Sequence, residues 1–324
     1  MTIRNFRKSD VPALVELWNS ALRQEAGDKQ WYLDSYLLSE AKLLWITGNS
    51  NFDPSAAFVW EQEGRIVGFA WGVVKKVPSY EGERLEDSPG YLEGFVVDRA
   101  FRSRGIGTQL VQKVESYARA ASKRTVILTC YHSAIEGLGL LPGSSGHEFL
   151  LKRGYEAEPP EMRLRLSFED YSFPDEVAGI RERLRRDGIE IEYYEGRHED
   201  SFCRLLQRHF RSWWHAIYQP NLTRAEPLPV LIAVDADRVV GFVGFVTVWE
   251  GKRAGFTPGV DPQYRRRGIG KVLLNVWARD VKRLGAQESI ISTGTDNYPA
   301  QRIYFAMGYK KLGEFYSSFT KSLA

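Results

Sequence analysis

Two short blocks of this sequence combine fixed positive charge with paired glycines. One is Arg102-Ser103-Arg104-Gly105-Ile106-Gly107, and the other is Arg265-Arg266-Arg267-Gly268-Ile269-Gly270. Each follows a strand-like run ending in Val-Asp (Val97-Asp98, Val260-Asp261) and precedes an amphipathic helical pattern. The chemistry open to a strand, a basic glycine turn and a helix start is anion binding. A helix N-terminus leaves backbone N–H groups unpaired and carries partial positive charge. Glycines omit the Cβ atoms that would hold a ligand off the backbone. Arginine forks match phosphate oxygens, so a pyrophosphate is the guest such a turn fits. Other phosphate loops fit worse. Gly270-Lys271 is followed by Val272 rather than Ser or Thr, and Leu110 and Leu273 stand where a dinucleotide fingerprint needs its third glycine.

A third block follows the second turn: Asn297-x-x-Ala300-x-x-x-Tyr304-x-x-x-Gly308-Tyr309. Its Ala, Tyr and Gly recur every four residues and so share one helix face. A phenol has a pKa of about 10 and a thiol about 8.5. Tyr304 can therefore donate a hydrogen bond or a proton to a departing thiolate while staying neutral itself. Counting back from Gly154-Tyr155 in the first half gives Gly143, Gly146 and Leu150 at the matching places, so that half has no phenol there.

Arg-x-x-Gly-x-Gly between strand and helix, present twice, resembles the acetyl-CoA motif of the GCN5-related N-acetyltransferases, the GNAT superfamily. The series from Asn297 to Tyr309 resembles that family's second motif. The layout is similar to mycothiol synthase-like two-domain acetyltransferases, in which the C-terminal copy is the active one. The resemblance implies an α/β (α+β) fold with two tandem GNAT domains, each a mixed, mostly antiparallel sheet flanked by helices. It also implies an acyltransferase that uses acetyl-CoA. In the second copy it places the cofactor on Gly259, Val260, Arg265, Arg266, Arg267, Gly268, Ile269, Gly270, Lys271, Asn297, Ala300 and Tyr304. In the first copy the corresponding set is Val96, Val97, Arg102, Arg104, Gly105, Ile106, Gly107 and Thr108.

Many members of the family take a base from the strand before the turn. Residues 254–260 carry no carboxylate, which leaves Glu250 and His215 as candidates for the second copy. Glu93 holds the corresponding place in the first. No Cys or Ser shows a nucleophile signature, so the expected reaction is direct attack of a primary amine, on a small molecule or a peptide, upon the thioester. The backbone N–H groups near Gly259 and Val260 would receive the developing oxyanion, with Pro258-Gly259 breaking the local pairing. The rival reading is a non-catalytic acyl-CoA-binding sensor or scaffold with two cofactor sites.

The elements that must carry these residues follow from periodicity. In the first half the patterns predict a strand at 2–6, a helix capped at Ser9-Asp10, and an aromatic helical region at 31–45. Strands follow at 58–60 and 66–74, joined by Glu63-Gly64, then a loop over 80–90 and a strand at 91–97 into the turn. After the turn come a helix, a strand at 125–131, a glycine-rich connection at 137–146, a short helix at 148–153 and a closing strand at 162–166. The order repeats after a seam at 167–174 and a charged helix at 175–186, which reads as a solvated face. It runs from a strand at 189–193, through a helix and an aromatic stretch at 209–218, to a hairpin at 231–234 and 239–249. A strand at 254–260, the second turn and its helix, a strand at 289–293, a helix at 299–307 and a final strand at 314–320 complete it. The expected domains are 1–168, degenerate, and 169–324, catalytic.

The chain has 324 residues, a net charge of +3 and two cysteines. That length suits about two domains. The small charge gives no warrant for nucleic acid or an anionic membrane as partner. Two cysteines make no disulfide framework, and no Cys/His set has zinc spacing, so no metal is expected. No apolar run reaches the roughly 18 residues of a membrane span. The opening residues are charged and strand-like rather than a secretory signal. A cytoplasmic monomer or homodimer is the expectation.

Overall fold

The computed structural model describes residues 2–78, 83–129 and 139–323. The chain forms two units: residues 1–161 together with 314–324, and residues 162–313. Of the elements expected above, part of the loop at 80–90, the end of the strand at 130–131 with Cys130, and Gly137 lie outside the described residues.

The first unit begins with β1 (Thr2–Asn5), α1 (Val11–Ala26), α2 (Gln30–Tyr36) and α3 (Glu40–Thr47). Pro12 sits in the first turn of α1, whose Leu14, Leu17, Trp18 and Leu22 face the interior. The aromatic region is two helices rather than one. Leu37 is extended, and the Ser39 side chain restarts the helix by accepting from Lys42 N at 3.1 Å. Tyr32 and Tyr36 are buried in a small cluster with Leu22, Ala26 and Leu141, while Trp45 is exposed.

Then come β2 (Ala57–Gln62), β3 (Arg65–Val74), β4 (Gly90–Val97), α4 (Ile106–Ala120), β5 (Thr125–Thr129), α5 (Ser145–Lys152) and β6 (Glu156–Ala157). Glu63 and Gly64 both take positive φ, the twist a two-residue hairpin needs. β1 to β4 are antiparallel neighbours. β4 and β5 run parallel, and among the described residues their register is Gly90↔Val126 and Tyr91↔Ile127. Beyond Tyr91 the two strands part, and the opening faces the glycine turn at the end of β4. A bulge at Glu93, between the pairs Gly72↔Leu92 and Trp71↔Gly94, re-aims β4 where they part.

The closing strand of this sheet is not the one the sequence order suggests. β7 (Glu161–Ser167) pairs within the second unit's sheet, and β15 (Ser318–Ser322) fills the place between β5 and β6. Both segments are amphipathic strands, so their alternation announces a strand without naming its sheet. Packing decides it. Met162, Leu164 and Leu166 join the core of the second unit, whereas Phe319 and Leu323 join that of the first. The seam accordingly falls between 161 and 162, not after 168.

The second unit contains α6 (Asp175–Arg186), β8 (Ile189–Tyr193), α7 (Glu199–His209), α8 (Arg211–Trp213), a π-helical turn at Trp214–Tyr218 and α9 (Gln219–Leu222). β9 (Val230–Asp235), β10 (Arg238–Gly244), β11 (Arg253–Ala254), β12 (Thr257–Val260), α10 (Ile269–Arg283), β13 (Glu288–Gly294), α11 (Tyr298–Ala306) and β14 (Lys310–Phe315) follow. They form two sheets, β12-β10-β9-β8 and β11-β13-β7-β14. The continuous strand expected at 254–260 is broken. β11 runs parallel to β13, and after Gly255-Phe256 the chain becomes β12 on the other sheet. The break therefore lies at Gly255-Phe256 and not at Pro258-Gly259, which pair with Val243 and Phe242. The final expected strand resolves into β14 and β15, one for each unit.

Candidate active site

The two glycine turns repeat in conformation as well as in sequence. Ser103 and Arg266 take φ of 61° and 66°, and Gly105 and Gly268 take 79° and 94°. Gly105 caps α4 and Gly268 caps α10. Successive residues of alternating hand make a concave nest of N–H groups, and here it opens at a helix start. The entry is fixed identically. Asp98 accepts from Ala100 N, and Asp261 from Gln263 N, both at 2.9 Å. An arginine at the start of the neighbouring strand braces each aspartate: Arg65 to Asp98 at 2.5 Å and Arg238 to Asp261 at 2.7 Å. Burial opposes the Asp261 charge, but the Gln263 amide and Arg238 outweigh it and hold the carboxyl below its usual range. This brace was not foreseen. Its only trace in the sequence is an arginine just after each hairpin turn.

The first arginine of each turn folds back on its strand. Arg102 Nε donates to Val97 O at 3.0 Å, and Arg265 Nε to Val260 O at 3.2 Å. Asp261 N donates to Val240 O at 2.9 Å, which sets the alternation along β12. The amides of Gly259 and Thr257 then point to β10, while that of Val260 faces the open edge. Pro258 shares the open edge and has no N–H. Of the two amides expected to receive an oxyanion, that of Gly259 is thus paired with β10 and that of Val260 faces the open edge. A Cβ on Gly270 would lie 3.6 Å from Val260 and 3.8 Å from Ile303 of α11. One on Gly107 would lie 3.5 Å from Val97 and 3.4 Å from Phe149 of α5. Both glycines thus lie where the strand end and the following helix come within ordinary contact distance of the turn.

The two turns differ in charge. Arg102 Nη1 donates to Glu25 Oε1 at 2.6 Å and to Ser145 Oγ at 2.9 Å, and Ser145 N donates to Glu25 Oε2 at 3.2 Å. Burial opposes the Glu25 charge, yet hydrogen bonds from Ser145 and Arg102 hold its carboxyl low. Among the described residues no carboxylate pairs with Arg265, Arg266 or Arg267; Arg267 lies over the Tyr264 ring at 4.9 Å. Lys271 pairs with Glu176 at 2.7 Å.

A cleft of about 570 Å³ opens in the first unit between the turn, Trp18, Leu22 and Tyr32 on the α1–α2 side, and Leu140 and Phe149 near α5. Val96, Val97, Arg102, Gly105, Ile106, Gly107 and Thr108 line it, and Arg104, whose Nη2 donates to Ala100 O, does not. Glu93 is buried and is not part of that lining. Leu150, at the place of the phenol, is fully buried in the core.

In the second unit Tyr304 is 5 % exposed, packed against Phe256 at 5.6 Å and Tyr309 at 5.8 Å between ring centres. Phe256 stands where the chain changes sheet, so the phenol lies beside the break. Its hydroxyl bonds no other group among the described residues. Burial alone pushes its pKa up to about 12. Asn297 caps α11: Oδ1 accepts from Ala300 N at 3.5 Å, and Nδ2 donates to Thr293 Oγ1 at 3.2 Å. Gln301, unnoticed in the sequence, is buried and ties α11 to Gly294 O and Thr295 O at 2.9 and 3.0 Å. His215 sits on the π-helical turn with Nδ1 3.3 Å from Gln219 Oε1. Glu250 begins a helical turn at Glu250–Lys252, and its side chain is outside the described residues. The structure brings Val260, Gly270 and α11 together, with Tyr304 beside Phe256.

No group of three or more His, Cys, Asp or Glu among the described residues could hold a metal. No described helix is long and apolar enough to cross a membrane. The model of the Acetyltransferase (GNAT) family matches residues 12–136 and again 191–309. An uncharacterized N-acetyltransferase of Methanocaldococcus jannaschii is 28 % identical over 155 residues, 48 % of this chain and 60 % of that protein's length. The mycothiol acetyltransferase of Amycolatopsis mediterranei is 24 % identical over 324 residues, covering 88 % of this chain and 97 % of that protein. Among solved structures, a tandem GNAT protein from the clavulanic acid biosynthesis pathway has the same fold, with a TM-score of 0.63 at 16 % identity over 100 % of this chain and 98 % of that one. With both halves matched by the family model, this chain belongs to the Acetyltransferase (GNAT) family.

Proposed function

We propose that the second unit moves an acetyl group from acetyl-CoA to a primary amine, on a small molecule or a peptide, by direct attack on the thioester. The observation that carries this is the asymmetry at one position. Tyr304 presents an unbonded phenol beside the sheet break, where the first unit has the buried Leu150. In this reading the N–H groups of the turn from Arg266 to Lys271, with Arg265 and Arg267, hold the diphosphate, and Val260 N–H meets the thioester oxygen. Asn297 and Ala300 form the wall along which the pantetheine lies. Tyr304 serves the leaving sulfur.

Most of the acceleration would come from alignment, since effective molarities for held reactants reach roughly 10⁵ M or more. The acceptor must be neutral to attack. With Glu250 and His215 the remaining base candidates, amines near pKa 8 are favoured over lysine side chains near 10.4. The first unit, on this view, holds acetyl-CoA through Val96, Val97 and 102–108 without transferring it. The name of the Amycolatopsis relative supports acetyltransfer in a chain of this layout.

The test is a thiol-release screen over amine classes, using the full chain, Arg265→Glu and Arg102→Glu. Release that stops with Arg265→Glu and persists with Arg102→Glu is the expected result. The reverse pattern would move catalysis to the first unit. CoA bound but never released with any amine would favour the sensor reading.

A further inference from the structure

The helix α6 precedes the segment that the family model matches, which begins at residue 191. Its charge pattern reads as a solvated face, yet it is docked on the second glycine turn at three points. Glu176 pairs with Lys271 at 2.7 Å. Ile180 packs on the turn itself: a Cβ on Gly268 would come within 2.6 Å of Ile180 Cγ2. Arg183 Nη2 donates to Arg267 O at 3.3 Å. Residues 176, 180 and 183 follow helical spacing and share one face.

The arginines of α6 are not equivalent. Arg185 and Arg186 both turn to Glu182, at 3.1 and 4.0 Å. Arg183 has no carboxylate partner among the described residues, and its guanidinium is held against the turn's own carbonyl. A cation left uncompensated and fixed beside a concave set of N–H groups is built for an anion. The turn already supplies N–H groups and a helix start for a diphosphate. Coenzyme A carries one further phosphate, on the ribose, and this is the anion left for a charge that stands beside the turn rather than on it.

We propose that Arg183 binds the ribose 3′-phosphate of coenzyme A, so that α6 is part of the second unit's cofactor site. This rests on the reading that the second turn holds coenzyme A. The consequence is selectivity for donors that carry the 3′-phosphate over thioesters of pantetheine or dephospho-CoA.

The experiment is isothermal titration of the full chain carrying Arg102→Glu, with and without Arg183→Ala or Arg183→Lys, against CoA and 3′-dephospho-CoA. A single charge-assisted hydrogen bond at an exposed site predicts about 5- to 10-fold weaker CoA binding for Arg183→Ala. Dephospho-CoA binding should not change, and Arg183→Lys should retain most of the CoA affinity. Equal weakening of both ligands would show that Arg183 only supports the turn, and no change for either would show it makes no contact; each overturns the proposal. If the parent protein took up no CoA while Arg183→Ala remained folded, the cofactor reading itself would fail, and the inference with it.

Discussion

Tyr304→Phe is the sharpest perturbation, because the structure sets its size. The phenol stands near pKa 12 in its apolar setting, and a thiol near 8.5. Full proton transfer from the phenol to a leaving thiolate is thus uphill by about 3.5 pKa units, roughly 5 kcal/mol. The phenol must act as a hydrogen-bond donor rather than an acid that gives up its proton. A hydrogen bond to a charged partner contributes about 1.5–3 kcal/mol, which at 1.36 kcal/mol per decade is roughly 10- to 150-fold in rate. The variant should lose that much kcat in a thiol-release assay, with the KM for acetyl-CoA unchanged within about 2-fold. The pH profile carries a second test. At pH 8 only about one phenol in 10⁴ is ionised, so the wild-type rate should show no alkaline limb from this group below about pH 11. A loss of less than 3-fold, or a 10⁴-fold loss with a limb near pH 9, would refute the reasoning.

Two further outcomes follow from the comparison of the turns. Glu25→Gln removes the carboxylate that occupies Arg102, so CoA uptake by the first unit should strengthen about 5-fold in titration, the scale of a partly screened charge pair. The folded-state pKa of Glu25 is depressed, so its stabilising effect is full above the ordinary value of about 4.3 and is lost as pH falls through the lower folded value. Chemical denaturation of wild type and Glu25→Gln should therefore converge in acid. Gly268→Ala meets both a left-handed φ of 94° and Ile180 at 2.6 Å, whereas Gly105→Ala meets a φ of 79° and only Gln109 Nε2 at 3.9 Å, an ordinary contact. Left-handed backbone costs about 1–2 kcal/mol for a residue with a Cβ, and the contact adds to it. Thermal unfolding should show Gly268→Ala more damaging than Gly105→Ala by about 1 kcal/mol or more; equal losses would mean α6 is not seated there.

The conformation of the two turns was legible because its signals are local: residue type, glycine spacing and a strand–helix context lie within ten positions of one another. The helix that carries Tyr304 was legible for the same reason, through the four-residue period of Ala300, Tyr304 and Gly308. Glu25 was not, because it meets Arg102 across 77 positions of sequence, and a glutamate late in an amphipathic helix looks like any solvated one. Arg183 was hidden in a charge run whose members differ only in what faces them. The break at Gly255-Phe256 was misplaced because Pro258 is the stronger local breaker, yet an edge strand tolerates a proline whose missing N–H faces outward. Which sheet receives a strand is a question of packing partners, and alternation is silent on it.

The exchange of closing strands has a bearing on how the protein is made. The first unit's sheet needs residues 318–322 between β5 and β6, and these are translated after the whole second unit. At roughly 5–20 residues per second, the nascent first unit waits on the order of ten seconds with two exposed edges. The ribosome thus delivers the second unit before the first can be finished, and the first half is not a contiguous module that could be severed at a single point in the chain.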